Sequence, residues 1–311
     1  GLHTSLPGAS SLPRNLPIMK VYERFQAAFP GGQEPAVVGV VAPDVRTPAV
    51  QAGITQLVAR AGHTPGLLRP VTIDQSHDHH AETIAIPLVG NGTNARSDQA
   101  LARLRALVPA TVGRVPGVQA GVTGETAGTV DFDSVMNSHI AIVFAFVLGM
   151  AFLLLLFTFR SIVIPFQAIA LNLLSIGAAY GVLVLVFQHG IGRQLLGFNG
   201  TYAITSWLPL FMFVVLFGLS MDYHVFILSR VREAFDRGES ARDATLSGVR
   251  STAGVVSSAA LVMVAVFSIF GTLSVIYFKQ LGVGLAAAIL IDATVIRGVL
   301  LPATLTLLGD C

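Results

Sequence analysis

Asp222 is the one acidic residue inside Ser206–Arg230, SWLPLFMFVVLFGLSMDYHVFILSR, a stretch otherwise suited to a bilayer. Holding a carboxylate there costs about 2.5–3.5 kcal/mol on insertion scales. Such a group persists where it pairs, titrates or binds something. Asp222 can hold and release a proton. Tyr223, about 100° further around a helix, can donate its hydroxyl across an interface. The pair implies movement across a membrane rather than chemistry on a soluble substrate. His224 lies about 200° from Asp222 and reads as a packed histidine at a helix interface. Asp292 is the other intramembrane carboxylate. Gly284, Ala288 and Asp292 recur at i, i+4 and i+8, so Asp292 sits on a small-residue packing face. It either hydrogen-bonds a neighbouring helix or joins the proton path. Arg297, about 140° away on an α-helix, is a poor same-helix partner and is expected to snorkel to the surface.

Other chemistry is thinner. Ser76-His77-Asp78-His79-His80 holds three histidines and an aspartate, the types that ligate zinc. They fall at a hairpin turn with no second ligand cluster spaced to join them, so a solvated turn is expected and no metal is assigned. No nucleotide-binding loop, Ser-His-Asp spacing or reactive cysteine suggests an enzyme, and no cofactor is expected. The single cysteine is Cys311, which excludes an intramolecular disulfide.

These residues sit in a chain of two characters. It is 53% hydrophobic and 12% charged, with net charge +2 and a mean hydropathy of +0.72. Soluble domains carry about 25% charged residues. The small net charge gives no reason to expect nucleic acid as a partner. Residues 1–139 are polar enough for a soluble domain, and from Ile140 onward the chain is almost continuously apolar. About 20 apolar residues cross the hydrocarbon. Five transmembrane helices are expected, near 140–160, 162–187, 207–229, 252–272 and 281–307. Small-residue stripes, Gly177-Ala178-Gly181 on the second and Gly254-Ser258-Val262 with Ser257 and Ala260 beside them on the fourth, are expected to pack closely.

The loop after the third span carries Arg230, Arg232, Arg237, Arg242 and Arg250, whereas opposite-side loops carry only Arg193 and Lys279. The positive-inside rule makes the arginine-rich side cytoplasmic, residues 1–139 extracytoplasmic and the C-terminus cytoplasmic. Arg232, Glu233, Asp236, Arg237, Arg242 and Asp243 read as one cytoplasmic amphipathic helix with anionic headgroup contacts. The first residue is Gly, and no leader precedes the outside domain. The expectation is a fragment whose upstream part is missing.

In the outside domain, Asn15–Phe29 has helical spacing and stops at Pro30-Gly31-Gly32. Ala36–Val41 is a buried strand. Pro48–Ala61 is a helix with proline in its first turn. Leu67–Ile73 and Thr83–Val89 are strands. Ser97 is expected to cap a helix over Asp98–Leu107. Val118–Val122 is the last strand. The order β-α-β-β-α-β is the split βαβ, ferredoxin-like pattern. The fold class is α+β membrane protein, a ferredoxin-like periplasmic domain (1–139) followed by a bundle of five transmembrane helices (140–311).

The segments LHTSLPGASSLPRNLPIMKVYERFQAAFPGG, FRSIVIP (Phe159–Pro165), GLSMDYHVFILSRVRE (Gly218–Glu233) and KQLGVGLAAAILIDATVIRGVLLPA (Lys279–Ala303) carry a family likeness. The chain resembles the C-terminal half of actinobacterial MMPL-type transporters of the resistance–nodulation–division superfamily. The resemblance implies a protein of two similar halves in the inner membrane. Each half has a periplasmic ferredoxin-like domain and a six-helix bundle. Proton influx would drive export of lipids or other hydrophobic compounds. Asp222 and Tyr223 match the proton-relay pair of the second half. Its partners would be the bilayer, a hydrophobic or lipid substrate, and the missing N-terminal half. The alternative is a membrane-anchored periplasmic module, a scaffold or lipid-binding adaptor, that transports nothing. The arginine asymmetry makes one direct prediction. In a Cys311→Ser background, Asp78→Cys should be labelled by an impermeant thiol reagent from outside and Ser240→Cys should not. The reverse pattern inverts the topology.

Overall fold

The computed structural model describes residues 4–5, 12, 16–28, 35–198 and 203–308. Asn15, Phe29 and the Pro30-Gly31-Gly32 stop lie outside them. The chain divides into two compact units, Ser5–Asn137 and Ser138–Cys311 with Gly1–Thr4.

The first unit runs α1 (Pro17–Ala28), β1 (Ala36–Val41), α2 (Pro48–Ala61), β2 (Thr72–Gln75), β3 (Ala81–Ile86), α3 (Ala95–Ala110) and β4 (Gln119–Thr123). The sheet order is β2-β3-β1-β4. Every pairing is antiparallel, with Val38 opposite Ile84 on one side and Val122 on the other. β1 alternates because successive side chains of a strand point to opposite faces. Ala36, Val38 and Val40 are buried and meet Ile54 and Leu57 of α2 and Leu101 and Leu104 of α3 in one core. The first expected strand of the hairpin is shorter and later than its hydrophobicity suggests. Leu67 makes only an isolated bridge to Leu88, and regular pairing begins at Thr72. Pro70 supplies no N–H to a ladder, which separates the two.

The α3 cap is one turn earlier than expected. Asn94, not Ser97, is the N-cap, its side chain accepting from the Ser97 N–H at 3.0 Å. Ser97 sits fully buried in the first turn, where its Oγ lies 3.1 Å from the Val89 carbonyl. The competing signal was that both residues are good caps and only three positions apart.

The second unit holds the end of α4 (Glu125–Phe159), then α5 (Val163–Leu183), α6 (Leu208–Asp236), α7 (Ala241–Thr272) and α8 (Ile276–Ile291). α5 continues as π-helix over Val184–Gln188, and α8 as π-helix over Asp292–Leu300 into α9 (Leu301–Leu308). Among the described residues, five stretches are long and apolar enough to cross a membrane. Of their most apolar windows, 44% of the α6 window is buried within the protein, against 11% for α4 and for α7. α6 is therefore central and α4 and α7 peripheral. The helices run past the expected spans at both ends of the α6–α7 connection. The single amphipathic helix expected across Arg232–Asp243 is instead the end of α6 and the start of α7. Gly238, at φ +94°, breaks it. Only glycine takes that conformation without steric cost. Ser240 then caps α7 by accepting from the Asp243 N–H at 3.2 Å.

The stripe Gly284-Ala288-Asp292 is buried as expected, and a Cβ on Gly284 would lie 2.6 Å from Met212 Cε, but the stripes expected on the second and fourth spans are not the close helix approaches. A Cβ added to Gly177, Gly181 or Gly254 would meet nothing within 4 Å. Gly254, Ser257, Ser258 and Val262 are exposed in this chain, and of that stripe Ala260 alone is buried. The tight positions are Gly282, whose added Cβ would lie 2.6 Å from both the Gly271 nitrogen and the Phe267 oxygen, and Gly248, 2.8 Å from the Val231 nitrogen. Gly282→Ala should therefore lower the apparent melting temperature in detergent, an overpacking cost of about 1–3 kcal/mol. Gly254→Ala should leave it unchanged or raise it. Equal behaviour of the two variants would refute this assignment of the helix crossing.

Candidate functional site

The charged residues of the bundle sort by their angle around α6. Ser220 and His224 are four apart and share its inward face, 5% and 1% exposed. Asp222, about 200° from either, lies on the exposed face. Tyr223 falls between the two faces and is half-buried. Thus α6 presents a carboxylate outward, a phenol at the edge and a serine–histidine pair inward.

Opposite the inward face stands the start of the π-helical segment. Asp292 and Arg297 form a buried ion pair through Asp292 Oδ2 and Arg297 Nη2, with side chains 8% and 6% exposed. This corrects the expectation that Arg297 snorkels to the surface. It also corrects the dismissal of the two as same-helix partners. On an α-helix they diverge, but a π-helix pairs i with i+5 and brings the fifth residue back toward the same side. The nine residues Asp292–Leu300 are wound this way. The signal available in the sequence was two opposite charges five apart in one apolar span.

The pair reaches across to α6. Ser220 Oγ donates to Asp292 Oδ1 at 3.1 Å, and Arg297 Nη2 donates to the Ser220 carbonyl at 3.4 Å. Asp292 therefore hydrogen-bonds a neighbouring helix. The Arg297 guanidinium also lies over the Tyr223 ring, 4.6 Å from its centroid, where the negative face of the π-system attracts it. His224 Nδ1 is 3.0 Å from the Ser220 carbonyl, which can only accept, so Nδ1 carries the proton. Its Nε2 has no partner among the described residues, and neither do Asn172 Oδ1 and Arg297 Nε. A cavity of about 10 Å³ bounded by Asn172, Ser175, Ser220, Tyr223, Asp292 and Arg297 lies at the centre. That is close to the least volume that admits one water. The arrangement can hold charge inside an apolar bundle and pass a proton between near neighbours.

The structure thus brings Tyr223 and Asp292 together through Arg297, and leaves Asp222 on the other side of α6. His224 proves to be a packed histidine, as read from the sequence, but one polar step from Asp292 through Ser220.

The histidine-rich turn is built as a hairpin turn. Ser76 Oγ donates to Asp78 Oδ1 at 2.5 Å, and Asp78 Oδ1 accepts from the His80 N–H at 3.2 Å. These bonds, Ser76 first, hold the Asp78 carboxyl below its usual range. Among the described residues no group of three or more His, Cys, Asp or Glu is placed to hold a metal ion.

The MMPL family model matches residues 10–311 of this chain. Over 284 residues the chain is 36% identical to the mycolic acid-containing lipids exporter MmpL11 of Mycolicibacterium smegmatis, covering 91% of this chain and 28% of that protein. It is 29% identical over 317 residues to the trehalose monomycolate exporter MmpL3 of the same species, covering 98% of this chain and 31% of that protein. It is 44% identical over 195 residues to the heme uptake protein MmpL11 of Mycobacterium tuberculosis, covering 62% of this chain and 20% of that protein. The chain spans less than a third of the length of each of these relatives. With its five apolar helices and the family match along nearly its whole length, this chain belongs to the MMPL family.

Proposed function

We propose that this chain is one half of a proton-motive-force-driven exporter of lipids or other hydrophobic compounds in the bacterial inner membrane. The observation that carries this reading is the buried Asp292–Arg297–Ser220 cluster, set beside Tyr223 on the helix that bears Asp222. A helix bundle that served only as an anchor has no use for that cost. Two of the relatives are named as lipid exporters, which supports the cargo class. In this reading the Ser5–Asn137 unit is a ferredoxin-like porter domain on the extracytoplasmic side. Its sheet order and β-α-β-β-α-β succession support that assignment. The chain then works with a homologous N-terminal half, and no enzymatic step is involved.

The proposed proton path follows the angles around α6. Asp222 takes the proton at the outward face, which a second half would cover and supply with donors. Tyr223, one step round, passes it between outer and inner faces through its hydroxyl. Asp292 receives or balances the charge, with Arg297 fixing the Tyr223 ring. An ionised Asp222 facing bare lipid is unfavourable, so the outward carboxylate itself favours a covering half over a lone scaffold.

In the complete transporter, Asp222→Asn should abolish export while abundance stays near wild type. Asn keeps the size but cannot ionise. Tyr223→Phe should impair export less. Wild-type export by Asp222→Asn at normal abundance would remove Asp222 from the path.

Asp292→Asn behaves differently, because it leaves the Arg297 guanidinium buried without its counter-ion. Stability should fall by about 3–5 kcal/mol, read as lower abundance and melting temperature. Adding Arg297→Leu should restore much of the stability and none of the export. Export restored with stability would show the pair to be structural only.

A further inference from the structure

Phe159-Arg160-Ser161 turns the chain from α4 into α5, and the last turns of α6 pass beside it. Between this turn, α6 and the start of α7 lies a cavity of about 320 Å³. That is the lower end of the range of ligand pockets. Phe159, Ile164, Leu228, Val231 and Leu305 form its apolar walls, and Arg160, Gln167, Arg232 and Asp236 stand among its polar lining. It shares no lining residue with the small cavity at Asp292.

We propose that this cavity is a binding site for an anionic glycerophospholipid. The acyl chains lie against the apolar walls and the phosphate is held by Arg160 and Arg232. Charge is the first argument. Two guanidiniums face one carboxylate in the lining, and that carboxylate is only loosely engaged, Asp236 lying 3.7 Å from Arg232 Nε. Arg160 is exposed, and among the described residues no carboxylate pairs with it. Of the other arginines at this end, Arg230 and Arg237 both pair with Glu233, outside the cavity.

Geometry is the second argument. Arg232 Nη1 donates to the Phe159 carbonyl at 2.7 Å, which pins its guanidinium at the turn beside Arg160. With Nε turned to Asp236, its Nη2 N–H groups are left for an oxyanion, and a planar guanidinium matches phosphate geometry. The third argument is an unmet acceptor. Gln167 Nε2 donates to Thr304 Oγ1 at 2.5 Å, leaving Gln167 Oε1 buried with no donor. A headgroup or glycerol hydroxyl supplies one. Finally, the site lies where the apolar helices end and the charges begin, the depth at which headgroups sit. Basic pockets between membrane helices at that depth recognise anionic lipids. The lipid is a structural ligand bracing the α4–α5 turn against α6, not the exported cargo, so the inference stands apart from the transport reading.

The test is native mass spectrometry of the whole chain released from detergent micelles. The probes are dioleoylphosphatidylglycerol and dioleoylphosphatidylcholine at equal concentration. Wild type should retain the anionic lipid in preference to the zwitterionic one. Arg160→Gln should weaken that retention about fivefold, the worth of roughly one juxtamembrane arginine. Arg160 is exposed and unpaired, so its loss leaves the helices intact, which circular dichroism checks. Arg230→Gln removes the same charge from the same end but outside the cavity and should leave retention unchanged. Equal binding of the two lipids overturns the proposal. So does wild-type retention by Arg160→Gln, or an equal loss in Arg230→Gln, which would reduce the effect to surface charge.

Discussion

The buried ion pair of Asp292 and Arg297 sets the terms for the rest of the bundle. Two charges removed from water repay their desolvation only with good geometry and further hydrogen bonds. The structure meets that demand in three ways. The π-helical winding from Asp292 to Leu300 brings the two residues to one side. Ser220 gives Asp292 a hydroxyl and Arg297 a carbonyl. The Tyr223 ring covers the guanidinium from above. The last two require α6 to lie close to the helix that carries Asp292, and the large residues of α6 bury themselves to hold it there: Met212 and Phe213 are wholly enclosed.

That central helix also explains how one short sequence can serve two faces. Ser220, Asp222, Tyr223 and His224 differ by a few positions and therefore by large angles. The inward pair is hydrogen-bonded and enclosed, the phenol lies at the edge, and the carboxylate faces out. The peripheral helices α4 and α7 bury little of their apolar surface within this chain. Exposed apolar surface on a membrane helix is satisfied by lipid. An exposed carboxylate is not, and this difference makes Asp222 the residue whose surroundings matter most for the proposed activity.

The polar ends of the helices obey ordinary soluble-protein rules. Gly238 ends one helix and Ser240 starts the next, so the arginine-rich connection is a tight turn flanked by two helix ends. Arg232 reaches the carbonyl of Phe159 from the neighbouring helix, tying the two connections at this end together. In the Ser5–Asn137 unit the same rules apply to Asn94 at the cap of α3 and to the hydrogen-bonded turn at Asp78.

Elements were legible in the sequence wherever a local rule governs them. The helix over Pro48–Ala61 and the strand over Ala36–Val41 follow from proline placement and from hydrophobic periodicity, which depend on neighbours along the chain. The five apolar stretches follow from length and composition, and Asp222, Tyr223 and Asp292 stand out because charge and phenol are rare in such stretches. What the sequence left open were properties of neighbours in space. Whether Gly254 or Gly282 receives another helix depends on which backbone arrives, and only Gly282 meets one. Whether Arg297 reaches water or Asp292 depends on a change of helical winding that a 3.6-residue period does not contain. Which side of α6 faces the core was decided by packing, and that choice turned Asp222 outward and Ser220 and His224 inward. Composition places charges in a membrane; only tertiary structure decides which of them meet.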